Sequence, residues 1–408
     1  MAPSDVSTVK RRLVGVDATR GLALVGIMSM HTLPTTDAAG HVTWTAALAG
    51  GRMAATFALL AGVGIAFLSG RRPVPPPERR GVAAALATRA LLIGGIGLAL
   101  GFADPDNIEV ILPYYGLLFL LAIPLTYLST RAVAVTGAVV AVGVPVLSHV
   151  ARSHLPPFSG ANPTFAHLVG DPVGQVIELL LTGAYPVLSW MTYICAGLVV
   201  GRLPLSSPRV AARLLGWGLG LALIGTLVSR VALGPLGGRH ALYAAAAASG
   251  LPGSDVSYML NVEADGTTPT STWWWLVTDA AHTNTPVNLL HSTGVAVALL
   301  GAFLLLTDRV APRGAAVRAG VGVLAAAGSM TLTLYSAHVV ATNALGATDL
   351  DPAVDYLGQV AVALLFALVW RRRVGQGPLE AQVSRAARAA RRAVAPPVRL
   401  ASGGPNGP

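Results

Sequence analysis

Residues 13–33 read LVGVDATRGLALVGIMSMHTL, and this stretch decides the class of fold. It is long enough to cross a bilayer as one α-helix, because about 20 helical residues span the hydrocarbon core. It also carries Asp17, Arg20 and His31. Polar groups of this kind are costly inside a membrane unless they have a partner or a function. The stretch therefore predicts a spanning helix with one polar face.

The composition of the whole chain agrees with a membrane fold. Hydrophobic residues make up 53% of the 408 residues and charged residues only 11%, with a mean hydropathy of +0.63. An ordinary soluble domain carries roughly 25% charged residues. A soluble interior of this size cannot hide so much apolar surface, so we predict an all-α, polytopic membrane protein of about ten transmembrane helices.

Nine further apolar stretches follow the first, each long enough for a helix. They cover residues 46–69, 81–102, 109–129, 132–150, 174–201, 210–232, 285–306, 319–345 and 354–370. Proline-rich RRPVPPPERR at 71–80 predicts a stiff linker. We expect one multi-helix domain over residues 1–370 and a basic tail over 371–408 that anchors to the membrane surface.

The charges predict which way the helices run. Basic residues precede the first span, at 10–12, and cluster again in the loops at 71–80, 202–213 and 309–318 and in the tail. The alternate loops carry mostly acids, including Asp37, Asp104, Asp106 and Glu109, with Arg152, Arg230 and Arg239 as exceptions. The positive-inside rule then places both termini in the cytoplasm. It also explains the net charge of +10 without a nucleic-acid partner.

The longest loop, residues 233–284, is predicted to lie on the outer side. It contains three consecutive tryptophans, Trp273, Trp274 and Trp275. Tryptophan prefers the membrane interface, so the loop is predicted to lie on the outer leaflet. A lid over an outward site is the alternative.

Arg20 and His31 share one face of the first helix. They are eleven residues apart, which is close to three whole turns or roughly 16 Å along the axis. Asp17, three residues before Arg20, can pair with it across one turn. The spacing indicates that this face of the first helix lines a path across the bilayer. The cation of Arg20 would lie near the inner side and the imidazole of His31 near the outer side.

Three segments resemble a known superfamily. RLVGVDATRGLALVGIMSMH, residues 12–31, resembles the opening helix of the transmembrane acyltransferases, which include the acyltransferase-3 family, heparan-α-glucosaminide N-acetyltransferase and YeiB-like proteins. WRRRVGQGPLE, residues 370–380, is similar to the ending shared by YeiB-like proteins, and GSMTLTLYSAH, residues 328–338, to their late helix. The resemblance implies transfer of an acyl group from cytoplasmic acyl-CoA, with acetyl-CoA as the expected donor and other acyl-CoAs as alternatives, to an extracytoplasmic sugar or other envelope acceptor.

The resemblance leaves two candidates for the catalytic base. In the heparan enzyme the essential histidine follows the first helix shortly before a tryptophan, and His41 and Trp44 match that spacing. Acyltransferase-3 members have their essential histidine at the position of His31. A neutral imidazole is suited to take the acceptor's proton, or to carry the acetyl group itself. Asp37 is a candidate to orient the imidazole.

Other polar residues are candidates for substrate binding. CoA is a polyanion, so we expect Arg20, Arg52 and Arg89 to bind its phosphates. Trp44, Asn288, His291 and His338 are expected on the acceptor side, and the histidines lack the spacing of a metal site. The expected partners are membrane lipid, acetyl-CoA, the acceptor and a second copy of the chain, in a bacterial plasma membrane.

Two other classes of function use the same residues. In a transporter or permease, the intramembrane charges would line a substrate path, although the halves show no convincing internal repeat. In a non-catalytic envelope scaffold, the outer histidines would face lipid or packed core. The absence of a cavity between the outer histidines and Arg20 would favour the scaffold, whereas an acyltransferase and a transporter both require such a cavity.

Overall fold

The computed structural model describes residues 13–103, 108–310, 312–346 and 348–394, so residues 10–12, Asp104, Asp106 and the end of the tail lie outside it. Within these ranges the regular structure is helical, with isolated β-bridges but no β-strand. The α-helices are α1 (Val14–Thr32), α2 (Trp44–Ala49), α3 (Arg52–Leu68), α4 (Pro76–Leu100), α5 (Leu112–Leu125), α6 (Thr130–Ala151), α7 (Phe165–Gly170), α8 (Pro172–Ile177), α9 (Val187–Gly201), α10 (Pro208–Leu233), α11 (Gly238–Ala248), α12 (Gly253–Asn261), α13 (Pro286–Leu305), α14 (Ala315–Ala327), α15 (Thr331–Leu345), α16 (Pro352–Arg373) and α17 (Pro378–Ala393).

The predicted polytopic helical fold is confirmed. In the described part of the chain, six helices are long and apolar enough to cross a membrane, and bent pairs raise the number to eight if each pair is one span. The pairs are Pro172–Thr182 with Val187–Gly201, bent by 51°, and α14 with α15, bent by 76°. Helix α1 and the 14-residue α5 also coincide with predicted spans. A count of ten, and the cytoplasmic position of the termini, stay predictions.

Helix α1 occupies the centre of the bundle. It packs against α3, α13 and α14 along its length and also contacts α2, α15 and α16. Eleven of its 19 residues are buried. We call the end with the loops 69–75, 202–207 and 306–314 the basic end, and the opposite end the acidic end. A central α1 means that its polar side chains meet protein rather than lipid.

The predicted linker at 71–80 is only partly correct. Helix α4 already begins at Pro76, so the last five residues of this stretch are helical. Proline fits the first turn of a helix because its missing N–H would have no intrahelical partner there. The non-helical connection is therefore residues 69–75.

Residues 233–284 form a folded cap at the acidic end. The cap contains α11 and α12 and has its own small core, in which Trp275 is fully buried with Leu242 and Val256. The expectation that all three tryptophans lie at the membrane interface was therefore wrong for Trp275. Asn284 joins cap and bundle: its side-chain amide donates to the backbone oxygen of Gly266, and its Oδ1 accepts from Trp190 Nε1, each at 2.8 Å.

The tail helix α17 packs against α4 and closes the bend between α14 and α15. A helix start leaves backbone N–H groups without intrahelical partners. Here Glu380 Oε1 accepts from the backbone N–H groups of Leu332 (2.7 Å) and Thr333 (3.1 Å), while its Oε2 accepts from the Thr333 hydroxyl (2.6 Å). The carboxylate thus caps the N-terminus of α15, where the helix dipole also favours negative charge.

Close packing of α1 on α14 predicts the effect of adding one methyl group. Gly21 faces α14 so closely that a Cβ would overlap the backbone oxygen of Leu324. We expect Gly21→Ala to destabilise the protein by about 1–3 kcal/mol because backbone must move to admit it. Thermal unfolding in detergent measures this change. Gly143→Ala is the control, because nothing lies within 4 Å of a Cβ there. An equal effect of the two substitutions would contradict the close contact.

Candidate functional site

Arg20 and Arg89 line one cavity of about 370 Å³ towards the basic end. Arg20 Nη2 donates to the backbone oxygen of Leu60 at 3.1 Å, and its Nη1 lies 3.6 Å from Asp17 Oδ1, so the predicted pair forms. Arg89 Nη2 donates to Ser384 Oγ of α17 at 3.3 Å. The Nε of Arg89 is buried and has no hydrogen-bond partner among the described residues. The cavity therefore holds two cations, one of them with an unused donor.

A series of adjoining cavities follows α1 from the basic end to His31. A cavity of about 1070 Å³ at the basic end shares Arg20 and Phe67 with the 370 Å³ cavity. The latter shares Ile27, Ile111 and Tyr335 with a cavity of about 40 Å³ that His31 lines. Arg20 and His31 thus line neighbouring cavities along α1.

His31 is hydrogen-bonded to His338, which was expected on the acceptor side. The two atoms His31 Nδ1 and His338 Nε2 are 3.0 Å apart. On its other side, His338 Nδ1 lies 2.6 Å from Gln359 Oε1, and Gln359 Nε2 donates to Asp355 Oδ1 at 2.9 Å. No group of three side chains in the described ranges could hold a metal ion. Gln359 was not among the residues predicted for the site, although Asp355 and Gln359 share a helix face at the acidic end.

Two further residues, one just before α9 and one just before α13, complete the wall around His31. His282 and Tyr185 line the small cavity, with their rings edge to face at a centroid distance of 5.5 Å. His282 has a left-handed backbone (φ 55°), and its Nδ1 is buried with no hydrogen-bond partner in the described part of the chain. Burial lowers the pKa of His282, which favours the neutral imidazole. A neutral imidazole therefore lies beside the His31 cavity.

An acidic group with an unusual pKa lies at the same end. The Tyr185 hydroxyl donates to the backbone oxygen of Glu109 at 3.2 Å. Burial, with further contributions from Asp265 and Glu263, raises the pKa of Glu109 to about 7. This carboxyl group is therefore partly protonated near neutral pH.

His41 lies apart from the cavities, on an exposed loop. The loop is closed by a bridge between Thr36 and Val42. The side chain of His41 is 80% exposed, and its Nδ1 lies 3.5 Å from Asp37 Oδ2. The backbone N–H of His41 holds the pKa of Asp37 below its ordinary value. Trp44, which begins α2, is 84% exposed. Asp37 does meet an imidazole, but in a solvent-exposed loop.

Arg52, His291 and Asn288 hold structure together at the acidic end. Arg52 starts α3, at the other end of that helix from the Arg20 contact, and its Nε donates to His291 Nε2 at 3.2 Å. His291 Nδ1 lies 3.0 Å from the Thr226 hydroxyl and 3.1 Å from the backbone oxygen of Ala222. The Asn288 amide donates to the backbone oxygen of Ala280 at 2.8 Å. The structure therefore does not bring Arg52 to the cavity of Arg20 and Arg89.

Comparison with known protein families identifies the chain. A family model described as heparan-alpha-glucosaminide N-acetyltransferase, catalytic, matches residues 12–233, just over half of the 408 residues. The match includes Arg20, His31, His41 and Arg89, whereas His338 lies beyond it. Comparison with curated proteins finds no match. The chain belongs to the family of the heparan-alpha-glucosaminide N-acetyltransferase catalytic domain, and is thus a multi-pass membrane protein of an acetyltransferase family.

Proposed function

We propose that the chain moves an acetyl group from acetyl-CoA at the basic end to a hydroxyl or amine of an extracytoplasmic sugar or other envelope acceptor. The series of cavities along α1 carries this proposal, because it links two arginines at the basic end to a histidine near the acidic end. The arginine-rich loops favour a cytoplasmic basic end, where acetyl-CoA is available. A bacterial plasma membrane is the proposed location.

The basic end suits the donor substrate. Arginine binds phosphate through charge-assisted hydrogen bonds, and the partnerless Nε of Arg89 offers such a donor. Arg71 lies at the opening of the same route. Deeper in, the wall is apolar, with Phe57, Ile93 and Phe119. This order of charge and then apolar surface matches a CoA whose phosphates stay at the basic end while its acyl arm extends inward.

The acidic end suits the transfer step. We propose that His31 takes a proton from the acceptor as the acceptor's oxygen or nitrogen forms a bond to the thioester carbonyl carbon. The carbon–sulfur bond then breaks, and the proton passes from His31 to the departing thiolate. His31 is favoured over His41 because it lines the cavity, whereas His41 faces solvent.

A sided transfer assay tests the function as a whole. Proteoliposomes receive radiolabelled acetyl-CoA on the side of the basic end and glucosamine, which offers both an amine and hydroxyls, on the other side. We expect labelled acetylglucosamine together with an equal amount of free CoA thiol. Passage of intact acetyl-CoA or of glucosamine without acetylation would contradict the proposal and favour a transporter.

Substitution of the two histidines separates their roles. We expect His31→Ala to lower kcat about 100-fold to 10,000-fold, the usual contribution of a positioned base, while His41→Ala changes it by less than about threefold. The Kd of acetyl-CoA, measured by calorimetry, is expected to stay unchanged in both variants. Full activity of His31→Ala, or loss of activity in His41→Ala alone, would show that His41 is the base.

Substitution of Arg89 tests the donor site without any chemistry. We expect Arg89→Ala to raise the Kd of acetyl-CoA about tenfold to 100-fold, because a hydrogen bond to a charged group contributes roughly 1.5–3 kcal/mol. Arg213→Ala removes an exposed arginine from the same end and controls for non-specific attraction. If both variants raise the Kd equally, Arg89 does not contact the phosphates.

A further inference from the structure

Four polar side chains from three helices form a line that ends at the small cavity. We call this line the polar relay, and it consists of Asp355, Gln359, His338 and His31. Its three contacts measure 2.9 Å, 2.6 Å and 3.0 Å. These contacts determine which atoms carry protons, because each group must donate a hydrogen bond where its neighbour accepts one.

The direction of the polar relay is fixed at Asp355. An ionised carboxylate only accepts hydrogen bonds, so the Gln359 atom facing it must be the amide nitrogen. Asp355 lies in the first turn of α16, close to the positive end of the helix dipole. The same nitrogen lies 3.4 Å from the Thr342 hydroxyl, a second acceptor for its two protons. Gln359 therefore presents its oxygen to His338.

The orientation of Gln359 decides the tautomer of both histidines. Because the Gln359 oxygen can only accept, His338 Nδ1 carries the proton, and a neutral His338 then has a lone pair on Nε2. His31 Nδ1 faces this lone pair and must donate to it. In neutral His31, the lone pair is then on Nε2, the nitrogen that a base uses.

We infer that Gln359 and Asp355 are positioning residues that hold His31 in the tautomer with a basic Nε2. The inference rests on the proposed role of His31 in acetyl transfer. When Nε2 takes up the acceptor's proton, the charged ring donates more strongly through Nδ1 to His338, and the relay is already oriented to receive this bond. Without the relay, His31 populates both tautomers, and the tautomer protonated at Nε2 has no lone pair on that nitrogen to take the acceptor's proton.

An exchange of the relay's polar groups tests the inference by activity. We expect Gln359→Leu to lower kcat at least about tenfold, as loss of an orienting partner commonly does, with the KM of acetyl-CoA unchanged. In the double variant Asp355→Asn with Gln359→Glu, the carboxylate at position 359 can still accept a hydrogen bond from His338, and the amide at position 355 can donate to that carboxylate. We therefore expect this variant to recover most of the activity. Asp351→Asn removes a nearby charge outside the relay and is the control.

A spectroscopic measurement tests the tautomer directly. In protein labelled with ¹⁵N-histidine in lipid nanodiscs, without substrate, the His31 signals are assigned by their loss in His31→Gln. We expect a protonated Nδ1 and an unprotonated Nε2 in the wild type, and signals of both tautomers in Gln359→Leu. A wild-type His31 protonated at Nε2 would overturn the inference even if the protein transfers acetyl groups. A wild-type protein with the expected tautomer but no acetyl transfer would contradict only the proposed function.

Discussion

Hydrocarbon offers no hydrogen-bond partners, so the polar groups that α1 brings into the membrane must find partners on neighbouring helices. Arg20 meets the carbonyl of Leu60 on α3, and His31 meets His338 on α15. These contacts fix the two ends of one face of α1. Cavities lie along this face, whereas Gly21 allows α14 to approach α1 closely.

The C-terminal region acts on the site through α15. Glu380 caps the N-terminus of α15, and the same helix carries Tyr335 into the cavities and His338 to His31. Ser384 of α17 contacts Arg89 directly. The family match ends at residue 233, yet the residues that orient His31 come after it. Arg20, Arg89 and His31 belong to the matched half of the chain. The second half contributes the side chains that contact His31 in the proposed site.

The sequence predicts the features that depend on register or composition. The helical class follows from apolar length and the Asp17–Arg20 pair from a three-residue spacing, whereas position along the helices places His31 and His338 only on the same side of the membrane. It does not predict which helices pack together. Arg52 was therefore grouped with Arg20 although it lies at the far end of α3, where it contacts His291. The contact of Gln359 with His338 and the burial of Trp275 also depend on tertiary packing, which no local pattern encodes.

The central claim is that one route along α1 brings the thioester of acetyl-CoA to His31. Cryo-electron microscopy of the protein in nanodiscs with a non-reactive thioether analogue of acetyl-CoA tests it most directly. The account predicts phosphate density beside Arg20 and Arg89 and the acyl end beside His31. An acyl end beside His41, or an analogue bound outside the cavities of α1, would contradict it.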